Sequence, residues 1–158
     1  MRVEYSITVR LGSDPHLDIR VPTLPGLALM KIISWEEKYP ERRKDAEDLL
    51  FIMQEYEDAG CLDRLFGEEQ DILSEEDFDV SSAAIRLLGR DMARTAYRDT
   101  LKAVKAILDA ETGEQLQYRL VADMMKGSGL MGENPRQILL QVERPRKGFI
   151  EIEDGRRK

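Results

Sequence analysis

VPTLPGLALMKIISWEEKYPERRKDAEDLLFIMQEY, residues 21–56, opens on the last apolar position of a period-two pattern and then changes to helical spacing. Thr23 is placed to cap a helix that starts near Pro25, a residue whose fixed φ and missing N–H suit a first turn. Leu27, Met30, Lys31, Ser34 and Trp35 follow at helical intervals, and Leu29, Ile32 and Ile33 widen the apolar face, which predicts a deeply buried helix. Pro40 ends it. A second helix is expected from Arg43 to Glu57, with Ala46, Leu49, Leu50, Met53 and Tyr56 on one stripe. Asp45, Glu47 and Asp48 fall around its first turn, where the helix dipole favours negative charge, and Gly60 stops it.

Upstream, Val3, Tyr5, Ile7 and Val9 alternate with polar residues, and Leu17, Ile19 and Val21 repeat the alternation after Gly12-Ser13-Asp14-Pro15. This predicts a β-hairpin. Two strands alone are marginal in water, so the edge at Val3 to Val9 calls for an upstream segment, a partner chain or a second copy. Downstream, Asp63 to Phe66 reads as a short helical piece and Glu68 to Asp79 as an acidic loop. A third helix, capped by Ser81 or Ser82, runs to Leu88, with a kink or corner at Gly89 before Asp91 to Leu108 resumes the pattern. Leu116 to Met125 forms a short amphipathic segment, and Ile138 to Val142 a final strand or helix. The fold class is α+β: a small antiparallel sheet packed against a predominantly helical body. Its divisions are a hairpin with helices (1–60), an acidic connection (61–80), a helical region (81–144) and a polar, mobile tail (145–158).

The chain has 158 residues, 42% hydrophobic and 35% charged, as in a globular domain, and no apolar run nears the roughly 20 residues of a membrane span. Met1 to Arg10 has no signal-peptide apolar stretch, so the cytoplasm is the expected compartment. A net charge of −7 argues against coating nucleic acid, which enters only as an acceptor substrate. Cys61, the one cysteine, has no disulfide or zinc partner, and His16, the one histidine, sits in the hairpin turn. Gly127-Ser128-Gly129-Leu130-Met131-Gly132 has dinucleotide-type glycine spacing but no preceding strand, and reads as a flexible linker.

Lys31 is the anomaly, an ammonium in the middle of an apolar helix, where it must be paired or face a cleft. Arg42, Arg43 and Lys44 crowd the entry of the next helix, where backbone N–H groups favour anions, and Asp45 and Asp48 share a face of its first turn. These residues could surround one magnesium-nucleotide pocket. Equally, Lys31 could pair with Asp45 while both aspartates complement the helix dipole.

Leu24-Pro25-Gly26-Leu27-Ala28-Leu29-Met30-Lys31-Ile32-Ile33-Ser34-Trp35, then Arg43-Lys44-Asp45-Ala46-Glu47-Asp48-Leu49 and Tyr56, resembles the third motif of the AbiEii/AbiGii-type nucleotidyltransferases, and Leu87-Leu88-Gly89-Arg90-Asp91 resembles a segment downstream of it. The resemblance implies a nucleotidyltransferase-fold remnant with appended helices, as in type IV toxin–antitoxin systems. It implies that Lys31 contacts nucleotide phosphates, that Asp45 and Asp48 organise the lysine or the pocket, and that Arg43 and Lys44 are secondary phosphate contacts. Mg2+ would accompany the NTP, and the acceptor would be a hydroxyl of protein or RNA. In that family a Gly-Ser or Gly-Gly turn precedes a D-x-D pair that holds two metal ions. Here Gly12-Ser13-Asp14 lies in the hairpin and Asp77-Phe78-Asp79 in the acidic stretch, so neither has that context. The expectation is a chain not catalytic alone: a fragment, a split subunit or a degenerate relative. The alternative is a non-enzymatic helical interaction or antitoxin-like module.

Overall fold

The computed structural model describes residues 6–113, 118–127 and 134–155. Among these, β1 (Ser6–Ser13) and β2 (His16–Pro22) form a two-stranded antiparallel sheet. The helices are α1 (Leu24–Glu37), α2 (Lys44–Glu55), α3 (Leu62–Leu65), α4 (Gln70–Glu75), α5 (Val80–Thr95), α6 (Arg98–Thr112), α7 (Arg119–Gly127) and α8 (Pro135–Gly155). A 3-10 turn, Glu57–Ala59, follows α2 and ends at Gly60 with φ 88°, a left-handed conformation that suits glycine. The α+β arrangement is the one expected from the sequence.

The register pairs Ile7 with Val21 and Val9 with Ile19, which places the apolar side chains on one face of the hairpin. Thr8–Arg20 and Arg10–Asp18 lie on the other, where Arg10 Nε donates to Asp18 Oδ1 at 2.8 Å. Among the described residues the sheet contributes no side chain to the helical core. Ile7 is 51% exposed and Leu17 53%, Leu11 and Ile19 are also exposed, and no residue of β1 or β2 joins the buried core. The helices close their apolar stripes on one another and complete a core without the sheet.

In α1 the Thr23 hydroxyl accepts from Gly26 N at 3.3 Å, the cap expected. Leu29, Ile32 and Trp35 are buried with Leu49, Leu50 and Met53 of α2, so the α2 stripe is as read, whereas in α1 Met30, expected on the buried face, is 59% exposed. The acidic stretch is not a loop. Ile72 and Leu73 of α4 are buried, and the surrounding acids face arginines of α5. Arg86 meets Glu75 at 2.7 Å, Glu76 at 3.1 Å and also Glu151 of α8, while Arg90 meets Glu69, Asp71 and Glu151. Neither Ser81 nor Ser82 caps α5; Asp79 Oδ1 does, accepting from Ser82 N at 2.8 Å.

The corner expected at Gly89 is absent, because α5 runs through it. A Cβ there would lie 2.0 Å from the carbonyl oxygen of Pro145, and one at Gly148 2.1 Å from that of Arg86. The two glycines let α5 and α8 approach backbone to backbone. The break falls instead at Ala96 and Tyr97, both extended. Residues 145–155, expected as a mobile tail, are the second half of α8, with Pro145 inside the helix and Phe149 buried. Proline costs a helix one N–H bond, and packing on α5 offsets it. Ile138 to Val142 is helical. Residues 1–5, 114–117, 128–133 and 156–158 lie outside the described residues, and with them the strand positions Val3 and Tyr5, Leu116, the reading of the Gly127 to Gly132 linker and the last basic residues.

Candidate functional site

Lys31 leaves the apolar face of α1 toward the first turn of α2. Its Nζ donates to Asp45 Oδ1 at 2.8 Å and to Asp48 Oδ2 at 2.6 Å. The side chain keeps 20% exposure while Asp45 has 2%. Arg42 closes the far side of Asp45, with Nε 2.9 Å from Oδ2 and Nη2 3.0 Å from Oδ1. Burial alone would raise the Asp45 pKa, but hydrogen bonds from Arg42, Lys31 and Ser34 outweigh it and lower it to about 2. Lys31 is raised above its ordinary value, first by the hydrogen bond to Asp45 and then by that to Asp48. The two carboxylates therefore hold the ammonium charged and fixed in direction, with one of its three donors left over.

Pairing of Lys31 with Asp45, read from the sequence as one of two alternatives, is thus observed, and Asp48 joins it. Both Asp45 oxygens are committed to cations, so Asp45 and Asp48 do not make a divalent-metal cradle in this arrangement. Among the described residues no group of three or more His, Cys, Asp or Glu is placed to hold a metal ion. The start of α2 is also less open to anions than expected, because the N–H groups of Asp45 and Ala46 donate to the carbonyls of Arg42 and Arg43 at 3.0 Å each.

Arg43 and Lys44 diverge from Lys31. Lys44 is exposed. The Arg43 guanidinium lies 5.6 Å from the Tyr39 ring centroid, with Nε 3.8 Å from Asp123 Oδ1. Asp123, buried on α7, also accepts the Trp35 indole N–H at 3.1 Å through Oδ2. Arg119 stacks over both Trp35 (5.2 Å) and Tyr39 (4.8 Å) and pairs with Glu36 and Glu111. Glu111 in turn accepts from Leu120 N at 3.0 Å, which fixes the start of α7.

Tyr39, Asp123 and Arg119 are not among the residues that spacing pointed to. One signal was available for Asp123: it interrupts the apolar face of Leu120, Val121 and Met124, and a buried tryptophan needs an acceptor for its N–H. Elsewhere, Asp79 is spent as the α5 cap and Asp77 takes a left-handed φ of 54°, so they form no paired carboxylate site. The Cys61 thiol is buried and donates to Tyr56 O at 3.3 Å, and burial pushes its pKa up. An apolar pocket of about 460 Å3, lined by Val121, Met125 and Leu139 among others, lies between α7 and the start of α8 and contains none of Lys31, Arg43, Lys44, Asp45 or Asp48. No family model, curated protein or solved structure matches the chain.

Proposed function

We propose that the chain is the phosphate-holding part of a nucleotidyltransferase-like protein of the abortive-infection, type IV toxin–antitoxin kind, and that it is not catalytic alone. The observation that carries this reading is Lys31: a charged ammonium set in an apolar helix, held from behind by two carboxylates, half of whose hold depends on the buried Asp45. An isolated surface lysine needs no such support, whereas a lysine that must meet phosphate oxygens at a fixed point does. Mg2+ would arrive with the NTP, and its ligands would come from a D-x-D segment that is not among these 158 residues or from a partner chain.

Calorimetric titration of each NTP with Mg2+ tests the reading. Lys31→Ala should weaken binding about tenfold or more, as expected for losing a charge-assisted contact, with the fold retained but the melting temperature lowered by a few degrees, because buried Asp45 loses one of its two cations. Asp45→Ala should weaken it through the misplaced lysine. Absence of NTP binding by the wild-type chain, or equal affinity in Lys31→Ala, would sink the proposal.

The exposed apolar face of the hairpin favours a second reading, a non-enzymatic module that docks a partner through Ile7, Leu17 and Ile19. Light scattering distinguishes its simplest form: self-association abolished by Ile19→Lys supports docking through this face, and a monomer at all concentrations removes the second copy as the partner.

A further inference from the structure

We infer that the apolar pocket between α7 and the start of α8 binds a small amphipathic carboxylate, its chain against Val121, Met125 and Leu139 and its head at Arg136. The site is separate from Lys31 and does not depend on the nucleotide reading.

The pocket follows from how two amphipathic helices meet. Leu120 and Met124 of α7 and Ile138 and Val142 of α8 are buried in the core. The adjoining face of the same helices is less well covered: Met125 and Leu139 are only partly buried and Ala122 is exposed. Together with buried Val121 they line an opening of about 460 Å3. That volume falls within the roughly 300–1,000 Å3 of small-molecule sites, whose walls are apolar with a few polar groups to orient the ligand.

Two polar side chains, Tyr118 and Arg136, complete the lining. Arg136 differs from the arginines of the helical body. Those of α5 pair with carboxylates, as do Arg119, Arg144 and Arg146. Among the described residues the Arg136 guanidinium has no such partner, and only its backbone N–H is engaged, donating to Asn134 Oδ1 at 3.0 Å. Water satisfies an exposed arginine on most surfaces; here the charge stands at the rim of an apolar opening. Tyr118 adds an independent sign. It is held at φ 43°, a left-handed conformation rare for a bulky residue and found where strain serves a site. Glycine or asparagine would take that conformation more easily, and neither would line the pocket with a ring.

The rim decides the ligand class. One cation and one phenol match the single charge of a carboxylate, whose two oxygens fit the guanidinium fork. A phosphate monoester carries more charge and calls for more than one cation.

The probe is octanoate, with octanol as the uncharged comparison, both followed by calorimetry. The wild type should bind octanoate. Arg136→Gln, at an exposed position, should weaken octanoate about 3- to 10-fold, the range for one charge-assisted contact facing solvent, and leave octanol unchanged. The change on substitution is what counts, because octanol is the more apolar ligand and its absolute affinity says nothing of the head group. Ala122→Trp, on the exposed wall of the pocket, should fill the opening and weaken both ligands about tenfold or more, with helical circular dichroism retained. Lys31→Ala should bind octanoate as the wild type does, so the nucleotide reading can fail while this inference stands. Failure of the wild type to bind octanoate, an Arg136→Gln that affects both ligands alike or neither, or undiminished binding in a folded Ala122→Trp overturns the inference.

Discussion

Asp45 shows how a single carboxyl becomes a stability element. Its folded pKa of about 2 lies below the ordinary 3.8, so as pH falls the unfolded chain takes up the proton first. Its contribution is therefore complete above the unfolded value and is lost as pH drops toward 2. The gap corresponds to about 2 kcal/mol. Urea midpoints of wild type and Asp45→Asn, measured from pH 7 to pH 3, should converge as the pH falls; curves that stay parallel would show that the carboxylate does not titrate as described. A second buried contact is that of Tyr56, whose hydroxyl donates to Asp91 at 2.7 Å while Arg64 grips the same carboxylate at 2.7 and 2.8 Å. Tyr56→Phe should cost about 1.5–3 kcal/mol, the usual effect of removing one hydrogen bond to a charged group, read as a lower urea midpoint with an unchanged slope. Arg64 keeps Asp91 paired, which is why the loss should not be larger.

At the scale of elements, the crossing of α5 and α8 is governed by the absence of side chains. Gly89→Ala would place a methyl 2.0 Å from a backbone oxygen of Pro145, and Gly148→Ala one 2.1 Å from that of Arg86. Backbone cannot step aside as a flexible side chain can, so the helices must separate along the contact that buries Leu88 and Phe149. Each substitution should destabilise by about 3 kcal/mol or more, at the upper end of overpacking effects. Gly155→Ala is the internal control, since nothing lies within 4 Å of its added methyl, and it should be neutral or stabilising by a few tenths of a kcal/mol. Equal melting temperatures for the three variants would contradict the close crossing. The arginines on α5 reinforce the same contact, since Arg86 and Arg90 share Glu151 of α8.

At the scale of the molecule, a closed helical core carries a hairpin whose described residues add nothing to its buried cluster. Core helices open by global unfolding, whereas a two-stranded ribbon held only by its own ladder opens locally. Hydrogen exchange should find the amides of β1 and β2 protected far less than those of α5. Ile19→Lys should leave the melting temperature within about 2 °C, as expected for a surface change in a chain of this length. Strong protection in the hairpin of the isolated chain, or a large loss of stability in Ile19→Lys, would show that its apolar face is covered after all.

The hairpin, α1 with its Thr23 cap, α2 and the meeting of Lys31 with Asp45 were legible in the amino-acid sequence, because each depends on residues close together along the chain. Periodicity says which face of an element is apolar, and a lysine on such a face demands a partner that the next helix supplies. The rest depends on what each face meets. Gly89 and Pro145 read as breakers by intrinsic propensity, and only the approach of a second backbone turns them into helix contacts. Glu68 to Asp79 read as an acidic loop until Arg86 and Arg90 come from another helix to pair with Glu69, Asp71, Glu75 and Glu76. Arg43 and Asp123 meet only because α7 folds back on α2, a juxtaposition that no spacing along the chain encodes. Local pattern determined the elements; long-range packing decided which residues share the site and left the sheet outside the core.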